Sequence, residues 1–392
     1  MEKPTHIPQG IWALGFVSLF MDISSEMIHS LLPVFVVLIL GVSTTALGLL
    51  EGFAEGAVNI ARIFSGVLSD WSRKRKPLAL AGYGMAALTK PLFPIANSFA
   101  AVFAARLLDR IGKGVRDAPR DALVADLAPP EVRGASYGLR QSLDTVGAVA
   151  GPLSAMALMV VFGGDFRNVF WIAVLPAVAS VGLLAAAVHE PSAPFGRDNA
   201  PRRLRWQELG RFSRAFWIVV ALGAVLTLAR FSEAFLILRA TSLGISNRYV
   251  PLVLVVMNVV YAATSYPAGH LSDRVDRRVV LATGGIVLFI ADIILGTATG
   301  IGWLSTGVSF WGLHMGLTQG LLAACVADCA PAERRGTAFG LFNLVTGIVL
   351  LLASVVAGAL WEHFGPQATF YAGASFAGFA SLGLIIEANV RR

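Results

Sequence analysis

The chain has 392 residues, 56% of them hydrophobic and 14% charged, with a mean hydropathy of +0.70. A soluble domain carries about 25% charged residues, so the composition excludes an ordinary soluble protein and points to one embedded in a lipid bilayer. The formal net charge of +7 calls for no nucleic-acid partner, because the basic residues concentrate in short loops on one side of the apolar spans.

A hydrocarbon core about 30 Å thick is crossed by roughly 20 residues of helix. Apolar segments of that length predict helices at 11–40, 46–69, 78–97, 99–119, 134–162 and 168–189, then at 214–241, 249–272, 279–299, 301–328, 335–363 and 367–388. They are too long and too evenly apolar for the alternating strands of a barrel. The expected fold is therefore an all-α membrane protein of about twelve transmembrane helices in two pseudo-symmetric six-helix bundles. The bundles are expected at 1–189 and 214–392, joined by a cytoplasmic linker at 190–213 that is rich in Pro and Arg. The first apolar stretch is too long and too interrupted to read as a cleavable leader.

The first predicted helix contains "SLFMDISSEMIHSLLPVF". A charge at mid-bilayer costs about 2.5–3.5 kcal/mol or more, so Asp22 and Glu26 need a partner or a wet cavity. Asp22, Glu26 and His29 are spaced four and three apart and share one helix face. Pro33 is expected to kink the helix just beyond them. Glu51 and Glu55 repeat the four-residue spacing in the second helix. The loop after it carries Arg73, Lys74, Arg75 and Lys76.

In the fourth helix Arg106, Asp109 and Arg110 fall near the midplane, and Arg106 or Arg110, together with Arg230 from the seventh helix, are the expected counter-ions of the first-helix acids. Arg140 and Asp144 form a local i, i+4 pair early in the fifth helix. Gly147 and Gly151 make a small-residue face followed by Pro152, expected to pack closely across the interface between the halves and to pivot there. In the second half, Arg230 and Glu233 lie within the seventh helix, Asn258 and Tyr261 in the eighth, His314 in the tenth and Asn343 in the eleventh, as candidates to line a substrate cavity. Asp292 sits mid-membrane in the ninth helix with no role suggested by its neighbours. Cys325 and Cys329 read as packing residues, and no metal site is expected.

If the N-terminus is cytoplasmic, the basic clusters at 73–76, 133, the linker, 274–278 and 334–335 all fall inside, and only Arg167 and Arg248 stand out among the opposite loops. Both termini are therefore expected in the cytoplasm. Two motifs also recur. "GVLSDWSRKRKPLALAG" from Gly66 returns as "GHLSDRVDRRVVLATGG" from Gly269, and "ADLAPPEVRGASYGL" from Ala125 returns as "ADCAPAERRGTAFGL" from Ala327. Each pair holds the same place in its half, which indicates a duplicated six-helix unit with parallel halves.

The first pair resembles the signature loop of the major facilitator superfamily, here Gly66, Asp70, Arg73 and Arg75, with Gly269, Asp273 and Arg277 in the second half. "RLLDRIGKG" from Arg106 resembles that family's fourth-helix motif, with Asp109 and Arg110 where a Gln and a Gly are usual. "GAVAGP", Gly147 to Pro152, resembles the fifth-helix motif of its proton-driven exporters, without the usual glycines that follow. The resemblance implies a secondary transporter working by alternating access, with the loop signatures as a cytoplasmic gate and the intramembrane charges as its coupling and substrate residues. It implies proton-coupled efflux of a small organic compound. The alternative is uptake or export of a metal chelate, siderophore or other anionic solute, for which Arg106, Arg110 and Arg230 would supply positive charge. No nucleotide-binding loop, zinc motif or nucleophile elbow is present, so neither an enzyme nor a cofactor is expected and a proton gradient is the expected energy source. The expected partners are a small-molecule substrate and lipid, the expected state a monomer, and the expected location the bacterial inner membrane.

Overall fold

Side-chain caps set four of the helix starts. In a computed structural model, the hydroxyls of Ser98 and Ser213 and the carboxylates of Asp165 and Asp276 each accept backbone amides of the following turn, satisfying donors a helix start leaves open. Gly163, Gly164 and Gly365 adopt positive φ where the chain reverses between helices. The structure describes residues 6–72, 74–190, 212–272, 274–330 and 335–390, with 70, 335–337 and 385–390 described by backbone alone. The gate candidates Arg73 and Asp273, the Asp70 side chain and linker residues 191–211 lie outside the described residues.

The helices in chain order are α1 (Gln9–His29), α2 (Leu32–Val34), α3 (Thr44–Ser72), α4 (Arg75–Thr89), α5 (Leu92–Ile95), α6 (Phe99–Leu127), α7 (Arg133–Val161), α8 (Phe166–Ala187), α9 (Arg214–Ala229), α10 (Ala234–Ser242), α11 (Leu252–Ser272), α12 (Arg277–Thr297), α13 (Ile301–Cys329), α14 (Arg335–Phe364) and α15 (Pro366–Val390). The pairs α1–α2, α4–α5 and α9–α10 are each one span interrupted midway, which gives the twelve-span helical fold expected. Among the described residues, nine spans are apolar enough by composition alone to cross a bilayer.

Four predicted helices change shape, each for a local reason. The first does not run unbroken from 11 to 40: α1 ends at His29, and beyond Ser30 and Leu31 the chain restarts around Pro33 and widens into a π-helical turn at Phe35–Ile39. The third breaks at Lys90 and Pro91, where the proline cannot donate to the helix ladder. The seventh breaks between Ala229 and Ala234, with the Ser232 hydroxyl accepting the Ala234 amide to restart it. The fourth runs past Pro119 to Leu127. Pro119 has no amide for the Val115 carbonyl four residues back, and the Ser65 hydroxyl of α3 donates to that carbonyl instead at 2.5 Å.

The chain divides into two compact units, residues 1–36 with 57–202 and residues 37–56 with 203–392. In the first, α1 packs on α7 and α8, and α4 on α6. Its apolar core joins Ile11, Leu14, Val17 and Met21 of α1 to Tyr83, Leu123 and Leu184. In the second, α12 lies between α13 and α15, and α13 packs on α11. Residues 44–56 pack on α14, where a side chain on Gly48 would collide with the Ser354 carbonyl. Cys325 and Cys329 lie against apolar clusters of this unit.

Candidate functional site

Helix α6 organises the polar interior of the first unit. Arg106, Asp109, Arg110, Lys113, Arg116, Asp117 and Arg120 recur at three- and four-residue steps, so they stack along one stripe about 21 Å long. All but Lys113 are buried. Small residues let this stripe approach its neighbours. A β-carbon on Gly82 of α4 would stand 2.6 Å from the Arg116 amide and 2.7 Å from the Gly112 carbonyl, and one on Gly114 would stand 2.5 Å from the Val58 carbonyl of α3.

The charges then pair across helices. The Lys90 ammonium donates to Asp109 at 2.8 Å and to the Ser25 hydroxyl at 2.9 Å. Arg62 of α3 meets Asp117 at 2.5 Å, and Arg120 stands 3.6 Å from the same carboxylate. Arg106 donates to Nδ1 of His29 at 2.6 Å. A guanidinium only donates, so Nδ1 is the acceptor and a neutral ring carries its proton on Nε2. Arg140 pairs with Asp144 at 2.6 Å, as its spacing predicts, and lies 3.7 Å from Asp121.

Asp22 differs from these. Its nearest guanidinium is Arg116 at 3.7 Å, longer than a direct hydrogen bond, and its side chain is 22% exposed where Asp109 is 4%. Arg116 also stacks over the Tyr83 ring, 4.7 Å from its centre. Glu26 is half-buried one turn along from Asp22. Behind these two acids lies α7: β-carbons on Gly147 and Gly151 would stand 2.9 Å and 2.6 Å from the β-carbons of Asp22 and Glu26. The small-residue face of the fifth span therefore lies on α1 of its own unit, where the sequence placed it across the halves. Pro152 continues that buried face.

The sequence brings His29, Arg106, Asp109 and Arg110 to one buried cluster, but assigns Asp22 the wrong arginine. It misses Lys90, Lys113, Arg116, Asp117 and Arg120. The signal for the α6 residues was present in the continued three- and four-residue spacing of charges beyond Arg110. Ending the helix at Pro119 left out only Arg120; Lys113, Arg116 and Asp117 already lay within the predicted span.

In the second unit the candidates are dispersed. Arg230 and Glu233 flank the break between α9 and α10. Tyr261 donates to Gln319 at 3.3 Å, and Asn258 and Asn343 are half-buried. His314 is 2% exposed and donates through Nδ1 to the Gly284 carbonyl of α12 at 2.8 Å. Asp292 is fully buried, and neither of its oxygens has a hydrogen-bond partner.

The repeated motifs meet within each unit. Arg75, first residue of α4, reaches Asp126 near the end of α6 at 2.6 Å, and its amide donates to Glu190. Arg277, first residue of α12, pairs with Asp328 near the end of α13. Gly66 lies beside Ala118 of α6, whereas Gly269 has open space around it. The pairing of first-residue arginine with the aspartate of the repeated "AD" is thus the same in both halves.

Residues 14–239 and 225–390 match the model of a family described as Major Facilitator Superfamily. An uncharacterised MFS-type transporter of Methanocaldococcus jannaschii is 31% identical over 98% of this chain and 96% of its own. The inner membrane transport protein YajR of Escherichia coli is 24% identical over 93% of this chain and 80% of its own. The multidrug resistance protein MdtH of Edwardsiella ictaluri is 26% identical over 89% and 83%. A crystal structure of the nucleoside transporter NupG has the same fold, with a TM-score of 0.81 at 12% identity over 96% of this chain and 99% of that one.

Proposed function

Because this chain belongs to the major facilitator superfamily, and is therefore a multi-pass secondary transporter and not an enzyme, we propose that it is a proton-coupled antiporter exporting a small organic compound. The membrane is the bacterial inner membrane, with both termini cytoplasmic. The carrying observation is the contrast between Asp22 and its neighbours: one acid held loosely and partly open at 3.7 Å from Arg116, where Asp109, Asp117 and Asp144 each have a basic partner at 2.5–2.8 Å. Protonating Asp22 removes the attraction that holds Arg116 toward α1, and a ligand charge can replace it. A step that changes one contact in one state shifts the balance between inward- and outward-open forms. Glu26, one turn away on the same face, extends the proton's path. The relatives named for multidrug resistance favour the export direction.

A second reading has its own observation. The α6 stripe carries Arg106, Arg110, Lys113, Arg116 and Arg120 against Asp109, Asp117 and Asp121, an excess of positive charge suited to an anionic solute such as a metal chelate. Everted and right-side-out vesicles under an imposed pH gradient separate the readings, with ethidium as a cationic probe and calcein as an anionic one. Accumulation in everted vesicles that collapses with a protonophore supports antiport, and the probe accepted reports cargo charge. Uptake confined to right-side-out vesicles overturns export. Asp22→Asn and Glu26→Gln are expected to abolish gradient-driven flux while leaving probe exchange measurable.

A further inference from the structure

Asp292 is the one fully buried carboxylate among the described residues with neither oxygen hydrogen-bonded. It lies on α12 and points at a slot lined by α15 and the end of α9. A β-carbon on Gly373 of α15 would stand 2.5 Å from Asp292 Oδ2, 3.0 Å from the Phe231 ring and 3.2 Å from the Ala229 carbonyl oxygen. The wall beyond is aromatic, with the Phe231 ring 5.2 Å from Trp311 and 5.5 Å from Phe370.

Among the described residues, no basic group is bonded to it. On the described elements around α12, Arg214, Tyr266, His270, Cys325, Asp328 and Cys329 lie toward the helix ends that hold the basic loops, and the remaining titratable and charged groups are His314 on α13, Tyr371 on α15, Tyr261 on α11, Arg239 on α10, and Arg230 and Glu233 at the break between α9 and α10. His314 is bonded to Gly284, about two turns away. Tyr371 lies against Gly296, and Tyr261 donates to Gln319. Arg239 is bonded to the carbonyls of Leu295, Gly296 and Ala298 and to the Ser242 hydroxyl. Arg230 begins the break after α9 and makes no bond to Asp292. The Ala229 carbonyl is at the negative end of α9, which opposes a second negative charge beside it. A bare carboxylate is too costly in such a place, and one carbonyl and one carboxyl are too few oxygens to hold a metal cation.

We propose that Asp292 is a proton-binding site of the second unit, loaded as the neutral acid in this conformation and unloaded when the break at 230–233 opens the slot to water. In that step the carboxyl O–H bond breaks, the proton passes to water, and the carboxylate left behind is hydrated through the same opening. Reloading reverses the exchange from the other side of the membrane. The site's place in a transport cycle rests on the proton-coupled reading above, but its titration does not.

The test uses the full chain in liposomes and infrared difference spectra taken as the medium is made alkaline. The expected result is a protonated-carboxyl C=O band at neutral pH that moves on labelling with isotope-substituted aspartate, is absent in Asp292→Asn, persists in Asp22→Asn, and disappears in alkali. Thermal unfolding of Asp292→Asn checks that it folds, and the isotope shift in wild type stands without it. A missing band, or one that persists through alkali, overturns the site. In transport, Asp292→Asn is expected to reduce pH-driven probe flux to the level of empty liposomes while probe exchange continues. Undiminished pH-driven flux in Asp292→Asn, with loss in Asp22→Asn, overturns the carrier role and leaves antiport standing. A titrating band in a protein with no pH-driven flux overturns antiport and leaves the site.

Discussion

Lys90 and Asp109 show what a membrane interior demands of a single residue. Each is at most 4% exposed, and their 2.8 Å contact, with Ser25 taking a further ammonium proton, is what makes either tolerable. Removing one partner leaves the other buried and unpaired, which costs about 3–5 kcal/mol. Lys90→Met is therefore expected to lower the thermal unfolding midpoint in detergent strongly, and the double variant Lys90→Met with Asp109→Leu to recover most of the loss. The pair was hard to find from sequence because Lys90 sits alone between "ALT" and "PLFP", with no spacing signal to tie it to a helix that had not yet been placed beside it. Arg106 poses a different test. Lys keeps the positive charge that an anionic probe would meet and Ala does not, so Arg106→Lys is expected to weaken transport of an anionic probe less than Arg106→Ala, as measured by flux at saturating and subsaturating probe.

At the level of elements, the approach of α7 to α1 depends on two missing side chains. A methyl on Gly151 meets the Glu26 β-carbon at 2.6 Å and the Ile23 carbonyl at 2.9 Å, whereas Gly138, on the same helix, has nothing within 4 Å. Gly151→Ala is expected to destabilise by about 1–3 kcal/mol through overpacking. Gly138→Ala is expected to be neutral or stabilising by about 0.5–1 kcal/mol. Thermal melts of the two variants check the contrast. Helix existence was legible almost everywhere, because apolar runs of membrane length leave little choice. The interruptions were less so: a proline at 91 or 119 looks alike in the sequence, yet Pro91 ends a helix and Pro119 does not. What separates them is Ser65, a donor from another helix that takes over the Val115 carbonyl. Such a contact belongs to the packed state, and local sequence contains no trace of it.

For the whole molecule, duplication is the most informative feature of the sequence, and the structure extends it to the ion pairs. Arg75–Asp126 and Arg277–Asp328 are counterparts, but the first is 12% and 8% exposed and the second 31% and 64%. Solvent screening leaves an exposed pair worth at most about 1 kcal/mol, while burial makes the loss of one partner costly. Arg75→Ala is expected to destabilise by about 3 kcal/mol and Arg277→Ala by under about 1 kcal/mol, a difference readable by thermal melts of the two variants. The halves have thus kept a shared contact while dividing their chemistry: dense buried charge in the first and, among the described residues of the second, one fully buried acid with neither oxygen bonded. Of the first, only Arg106, Asp109 and Arg110 were read from the sequence, although all seven charges stand at helical spacing in it. The isolation of Asp292 was not foretold, because the sequence shows a residue and cannot show that nothing faces it.

Arg239 carries a mechanical consequence. Its guanidinium binds three carbonyls at the end of α12, so α10 and α12 are riveted together at that end. Helix α9 is joined to α10 only through the four residues 230–233. That short joint lies beside Phe231 and Asp292, and it is where bending in this part of the second unit would be expected to fall. A rotation of α9 at this joint would carry the Ala229 carbonyl and the Phe231 ring, two parts of the wall that faces Asp292.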